Sequence, residues 1–404
     1  MDTAHRPQPA RSFADVGHAE ALERARALVP LLREHAAAQE QATRMIAPIE
    51  QALHASGLFR YQQPRVFGGM ELDLTAIVEL VEILGRGDAS TAWTFANLAS
   101  HHRQLALWDI RAQQEVWGAN PDALIASGIA YVQGRGTRVD GGLRLSGEWG
   151  FSSGVDVSQW NMLYCVVREG DTPVDWCACL VPAADYEIVD DWQTLGMCGT
   201  GSRTVRAQDI FVPEHRVVSM QVARAGHRFP GLDHHPNPLY RVPTPAMGGH
   251  SIAAAMLGNA QAMIDLTVES VKARSTRYTG AKMRDMPMVQ WRVSMAAAKV
   301  DAMRGFLRND CTEAFAEVAR SGGLSIEQKL RYKRNCAAAM QIAVEAVDLL
   351  HEMAGAGGIY DRNVLQRLFR DAHAAAGHIA FSVDAQLPPW ALVALGGEFR
   401  SPTM

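Results

Sequence analysis

The spacing of apolar residues along this chain changes twice. From about Val16 to Trp117 they recur every three or four positions, and Leu22, Ala25, Val29, Leu32 and Ala36 mark one face of a helix. Pro30 falls inside that run and is expected to bend or break it. Pro48 to Phe59 reads as a second helix that stops near Gly57. After a loop at Gly68-Gly69, Asp73 leads into Leu74, Ile77, Val78, Val81 and Leu84, and Asp88 is placed to cap a further helix through Ala99.

From about Ala123 to Met220 the pattern becomes short and alternating. Leu143 to Phe151, Trp160 to Val167, Trp176 to Val181 and Thr204 to Val212 read as strands. Turn signals such as Asp140-Gly141-Gly142 and Gly170-Asp171 separate them, which suggests a small antiparallel barrel or sandwich. Beyond Pro243 long, alanine-rich helices return. One begins around Ile252 and reaches to Arg277; Met288 to Val318, Ser325 to Ala354 and Val364 to Ser382 follow. Ala223 to Tyr240, rich in Pro, Gly and His, reads as a linker whose His234-His235 pair is solvated. The expected units are therefore a helical domain over 14–122, an antiparallel β-barrel over 123–220 and a four-helix bundle over 241–396, an α+β class.

Composition narrows the chemistry mainly by exclusion. The chain has 404 residues and a formal charge of −4 from 39 basic and 43 acidic side chains, which leaves no electrostatic footprint for nucleic acid or an anionic membrane. No apolar run reaches the roughly 18 residues of a spanning helix. Met1 to Phe13 lack the apolar core of a signal peptide, so a cytoplasmic protein is expected. Six dispersed cysteines indicate neither a disulfide scaffold nor a zinc cluster, and no metal site is expected. Cys177 and Cys179 lie two apart on a strand and read as buried thiols.

A nicotinamide site needs a Gly-rich turn between strand and helix. The nearest match, Gly355-Ala356-Gly357-Gly358, follows a helix and is rejected. His101-His102 ends a helix that also carries Trp93 and Phe95. Phe151-Ser152-Ser153-Gly154 sets an aromatic and two hydroxyls at a strand end, where a serine can hydrogen-bond a ring nitrogen. Gly196 to Ser202, after Trp192, offers open backbone, although both stretches also read as ordinary turns. Arg367, Asp371 and His378 share nearly one helix face, and Arg367 and Asp371 have ion-pair spacing.

Taken in order, these features resemble the acyl-CoA dehydrogenase superfamily. The helical–β–helical order agrees, as do Phe67-Gly68-Gly69, Gly147 to Gly154, Gly196 to Ser202 leading to Asp209-Ile210-Phe211-Val212-Pro213, and Gly357-Gly358-Ile359-Tyr360 followed by Arg367 and Arg370-Asp371. The likeness spans roughly residues 20 to 385. A dehydrogenase of this type needs a carboxylate base, yet no glutamate lies between Glu352 and Glu398 and no acid between Asp233 and Asp265.

In the base's place stands His378. The pattern Arg370-Asp371-x-His373-x-x-x-x-His378 resembles the oxygenase components of two-component flavin monooxygenases, among them the 4-hydroxyphenylacetate, steroid-phenol and dibenzothiophene oxygenases. The resemblance implies reduced flavin (FMNH2 or FADH2) delivered by a separate NAD(P)H reductase, O2, a C4a-hydroperoxyflavin, hydroxylation of a small phenolic molecule, and a homotetramer. It implies that Ser153 contacts flavin N5, that His378 stands at the flavin C4a edge, and that His102, with His101 as fallback, binds the phenol. Ser127 falls near a second phenol contact. Phe151, Ser152, Trp192, Thr200, Gly201, Ser202, Gly357 and Gly358 match flavin-binding positions, and Arg274 matches a phosphate-binding arginine. Three readings remain beside it: oxygenation at nitrogen or sulfur, an acyl-CoA dehydrogenase with a displaced base, and a catalytically dead assembly or binding protein of the same fold.

Overall fold

The computed structural model describes residues 11–220, 229–276 and 278–401. The first ten residues, residues 221–228 with the 223–228 part of the expected linker, and Arg277 at the expected helix end lie outside the described residues. Four helices open the chain: α1 (His18–Ala42), α2 (Ala47–Ser56), α3 (Thr75–Gly85) and α4 (Ala89–Leu105). Four more dominate the C-terminal half: α5 (Thr244–Ala273), α6 (Pro287–Ser321), α7 (Ile326–His351) and α8 (Val364–Ala376).

α1 runs unbroken through Pro30. The missing amide bond costs little because Pro30 is exposed and the freed Arg26 carbonyl is open to water. Asp88 caps α4 as its position suggests: its carboxylate accepts from Thr91 N at 2.7 Å and from Gln39 Nε2 of α1 at 3.0 Å. α4 then continues past Ala99 to Leu105, almost wholly buried, as a central pillar. α5 packs against α3 and α4 on one side and α6 and α7 on the other, joining the two helical halves. Ser325 starts α7 with a reciprocal capping box to Gln328.

α8 ends at Ala376, short of the expected Ser382, with Gly377 as its cap. His378 therefore leaves the helix and does not share a face with Arg367 and Asp371. Nor do those two form a helical ion pair: Arg367 Nη1 lies 3.9 Å from Glu40, while Asp371 Oδ1 accepts from Met197 N at 2.6 Å.

Between the helical halves lie β1 (Ile125–Gly128), β2 (Gly134–Val139), β3 (Gly142–Ser152), β4 (Trp160–Glu169), β5 (Thr172–Pro182), β6 (Glu187–Val189), β7 (Arg203–Pro213) and β8 (Val217–Ser219). They form one open sheet in the order β6-β7-β3-β2-β4-β5-β8, with β1 paired to β4. The expected barrel does not close, because the three-residue strands β6 and β8 stand at opposite ends and do not pair. The sheet is also mixed: β1 and β2 both run parallel to β4. A register shift between Trp149 and Ser152 puts a bulge in β3 where the chain turns toward the helices. Among the described residues no helix is long and apolar enough to cross a membrane.

Candidate active site

Four polar residues of α4 fall on one stripe. Asn97, Ser100, His101 and Gln104 recur at i, i+3, i+4 and i+7 and face a cavity of about 1230 Å³. Ser127 of β1 and Tyr164 of β4 form the opposite wall, and the Tyr164 hydroxyl donates to Gln104 Oε1 at 3.1 Å. The start of α5, the lysine face of α7 and the segment His378 to Ala380 complete the lining.

The histidine pair divides. His101 lines the cavity, and its Nδ1 lies 2.6 Å from the Ile125 carbonyl. A carbonyl only accepts, so Nδ1 carries the proton and Nε2 keeps a lone pair. Burial pushes the His101 pKa down to about 4, with the Ile125 bond opposing in part, so the ring is neutral near pH 7. His102 does not line the cavity. Its Nδ1 accepts from the Trp117 indole at 2.9 Å and its ring stacks on that indole, fully buried, with Nε2 unpartnered. The structure thus offers the fallback His101, and not the expected His102, to a molecule in the cavity.

His378 lines the same cavity from the C-terminal side. Its Nδ1 accepts from Ala380 N at 3.2 Å, so Nε2 carries the proton. The Trp93 ring of α4 meets it edge-on with centroids 5.6 Å apart. Burial lowers its pKa to about 4 as well.

One residue beyond Trp93, Thr94 Oγ1 lies 3.4 Å from the Thr200 carbonyl, and this side of α4 meets the two Gly-rich turns. The β3 bulge holds Phe151 at φ +63° and turns its ring outward, 76% exposed, edge-on to Trp192 at 5.9 Å. Ser153 Oγ is 2.7 Å from Ser202 Oγ, which is 2.7 Å from Thr200 Oγ1. Gly154 sits at φ +73°, where a Cβ would come within 2.7 Å of Thr94 Cγ2. The Gly196 backbone touches α8, with room for no side chain: a Cβ would lie 2.4 Å from the Arg370 carbonyl. Gly201 adds another left-handed turn at φ +53°. Ser152 is not part of this group, being buried with its Oγ accepting from Asn161 Nδ2 at 3.0 Å.

Arg274 is exposed at the end of α5 and donates to the Met353 carbonyl at 3.1 Å, just before the turn that holds exposed Gly357 and buried Gly358. None of the hydrogen bonds described above joins this group to Ser153. His235, expected in solvent, is buried and bonds Gln113 Oε1 at 2.7 Å, because the linker folds back under α4. Among the described residues no cluster of His, Cys, Asp or Glu is arranged to hold a metal ion.

The residues around Ser153 fit a flavin ring. Thr200 Oγ1 donates to the Met197 carbonyl at 2.8 Å, so Ser202 donates to Thr200 and Ser153 to Ser202, which leaves Ser153 Oγ as an acceptor beside exposed aromatic faces on backbone locked by tight turns. Sequence reasoning missed Asn97, Gln104 and Tyr164; the i, i+7 spacing of the first two was the signal available.

Residues 250–383 match the family model described as acyl-CoA dehydrogenase, C-terminal domain. That defines the frame as acyl-CoA dehydrogenase-like. The solved structure of 3-HSA hydroxylase from Rhodococcus sp. RHA1 superposes with a TM-score of 0.91 at 32% identity, covering 96% of this chain and 100% of that one. The flavin-dependent monooxygenase oxygenase subunit HsaA of Rhodococcus jostii is 34% identical over 94% of this chain and 98% of its own length. The FADH(2)-dependent resorcinol hydroxylase, oxygenase component, of a Rhizobium species is also 34% identical, over 95% of both chains. The chain belongs to this family of flavin-dependent monooxygenase oxygenase components. It is a monooxygenase that works with reduced flavin and O2.

Proposed function

We propose that this chain hydroxylates the ring of a small phenolic molecule, with reduced flavin supplied by a separate NAD(P)H-dependent reductase. The observation that carries the reading is the Nε2 lone pair of His101, held toward the cavity that His378 also lines. A neutral imidazole accepts the phenol hydroxyl proton, which raises electron density on the ring. Ser127, across the cavity, gives the phenol oxygen a second hydrogen bond. His378 offers an Nε2 proton donor at the cofactor side, next to the apolar ring of Trp93, which limits water.

Bound reduced flavin supplies the electrons that activate O2, one atom of which passes to the substrate ring. Ser153, Ser202 and Thr200 hold the polar edge of its ring system, and Phe151 and Trp192 flank it. Arg274 with Gly357 and Gly358 serves the flavin phosphate of a neighbouring subunit in a homotetramer. Support for that assembly comes from α6, which exposes Met288, Trp291 and Met295 at i, i+3 and i+7. A cytoplasmic location suits the six free cysteines.

Rapid mixing of the anaerobic chain–reduced flavin complex with O2 and a phenol tests the reading. The expected result is a transient before flavin reoxidation and a ring-hydroxylated product. Direct reoxidation with peroxide release and no product, for any phenol tried, would sink it.

A further inference from the structure

Asp371 is a buried carboxylate with no part in binding the phenol or activating it. It is 3% exposed and stands on α8 beside Arg370, whose guanidinium is occupied by Glu40 and the Leu195 carbonyl. A carboxylate away from water is stable only against a donor. Here the donor is the Met197 amide, 2.6 Å from Oδ1. Met197 has φ +56°, a left-handed conformation that a side chain disfavours, so the turn depends on the bonds that hold it. On the other side of the same residue, the Met197 carbonyl accepts from Trp192 Nε1 at 3.3 Å and from Thr200 Oγ1 at 2.8 Å. Met197 thus joins α8 to the aromatic wall and to the hydroxyl row.

The Thr200 bond gives that row a direction. A hydroxyl has a single proton, and that of Thr200 goes to Met197. Ser202 therefore donates to Thr200, and Ser153 donates to Ser202, each at 2.7 Å. Ser153 Oγ ends the row with lone pairs only. An oxidised isoalloxazine ring has bare nitrogens at N5 and N1, and two-electron reduction adds a proton at N5. A hydroxyl that only accepts bonds that new N–H and opposes the bare nitrogen of the oxidised ring.

We infer that Asp371 is a positioning residue for redox selection at the cofactor site: by holding Met197 it sets the direction of the hydroxyl row, and Ser153 then favours the reduced ring over the oxidised one. The inference rests on the placement of flavin beside Ser153 and adds how that site tells two redox states apart. Asp371 touches no cofactor and acts through Met197, Thr200 and Ser202. The direction that holds the reduced ring also loosens the oxidised one, which lets spent cofactor leave.

Fluorescence titration of the full-length chain with FADH2 under anaerobic conditions, and with FAD in air, reads both affinities without turnover. Asp371→Ala should lower the preference for FADH2 over FAD about tenfold, a shift of about 30 mV in the two-electron potential of the bound flavin. Asp371→Asn keeps an oxygen acceptor for Met197 N and should retain the preference. Thr200→Val frees the Ser202 proton to turn toward Ser153 and should lose the preference, while Thr200→Ser should keep it. A merely structural role of Asp371 would weaken both redox forms alike in Asp371→Ala; that result, or an unmoved preference, would overturn the inference. So would a preference that survives Thr200→Val, whether or not Asp371→Ala folds. Ser153→Ala separates the inference from the placement beneath it. Unchanged FADH2 affinity there would remove flavin from Ser153 and overturn both. Weakened FADH2 affinity beside an unmoved preference in Asp371→Ala would remove Asp371 alone.

Discussion

His101 and His102 are neighbours in sequence and carry their ring protons on opposite nitrogens. The Ile125 carbonyl fixes the proton of His101 on Nδ1, and the Trp117 indole fixes that of His102 on Nε2. One ring serves the cavity and the other the core. His101→Ala should lower kcat/KM for phenol hydroxylation by roughly 10²- to 10⁴-fold. His102→Ala should instead leave the Trp117 N–H unsatisfied, cost about 1–3 kcal/mol and lower Tm with product formation largely kept. Thermal melts and product assays on both variants check this, and the reverse pattern would return the phenol to His102.

Acid should destabilise the protein through its cavity histidines. Burial holds His101 and His378 at about 4, below the ordinary histidine value of 6.5. Their contribution is complete above 6.5 and is lost as pH falls toward 4. Urea midpoints should therefore rise across that interval, and less steeply in His378→Asn. An identical slope in the variant would remove His378 from the account.

Asp371 acts in the opposite direction. Burial raises its pKa from 3.8 to about 7, with Asp88 and Glu40 adding to the rise against the Met197 amide bond. A raised pKa contributes stability that is complete below about 4 and is lost as pH rises through about 7. Asp371→Asn keeps an acceptor for Met197 N and removes the titration. Its stability relative to the unmodified chain should climb between those two pH values. A constant difference across that interval would show that Asp371 does not titrate there.

Much of this architecture could be read in the sequence because it is local. Asp88 and Ser325 cap helices through bonds made within three residues, and the 3.6-residue spacing of Leu32 and Ala36 reports a buried face. What escaped was set by distant chain. The helix expected to end at His101-His102 runs on to Leu105, because the polar Arg103 and Gln104 serve the cavity and the backbone just before α5. The parallel pairing of β2 with β4 skips over β3, and no alternation pattern encodes it. His101 and His102 could not be told apart, since residues 100° apart on a helix both meet something when the helix is buried.

The hydroxyl row at the β3 bulge should separate flavin affinity from folding. Ser153→Ala removes one end of the row and should weaken reduced-flavin binding about three- to tenfold in anaerobic fluorescence titration. Ser152→Ala strands the Asn161 amide in the core and should lower Tm with flavin affinity unchanged. Equal flavin affinity in the two variants would remove Ser153 from the cofactor site.

Assembly should depend on the apolar stripe of α6. Trp291→Glu puts a charge into the centre of that stripe, and sedimentation should show a smaller species than the unmodified chain. If Arg274 serves a neighbour's flavin, the same substitution should weaken flavin binding in parallel. Flavin affinity that survives dissociation would place the whole cofactor site within one chain.

The edge contact between Trp93 and His378 has an optical consequence. Indole emission overlaps the absorption of an oxidised isoalloxazine ring, and energy passes between them over tens of ångströms. Of the nine tryptophans, Trp93 borders one histidine of the cavity and Trp192 borders Phe151 on the outer surface. Beside Trp108 of the cavity lining, Trp93 and Trp192 therefore serve as native lamps, one on the inner and one on the outer side of the active centre. Replacing each in turn with Phe lets their dimming report separately the arrival of a cofactor and the filling of the chamber behind it.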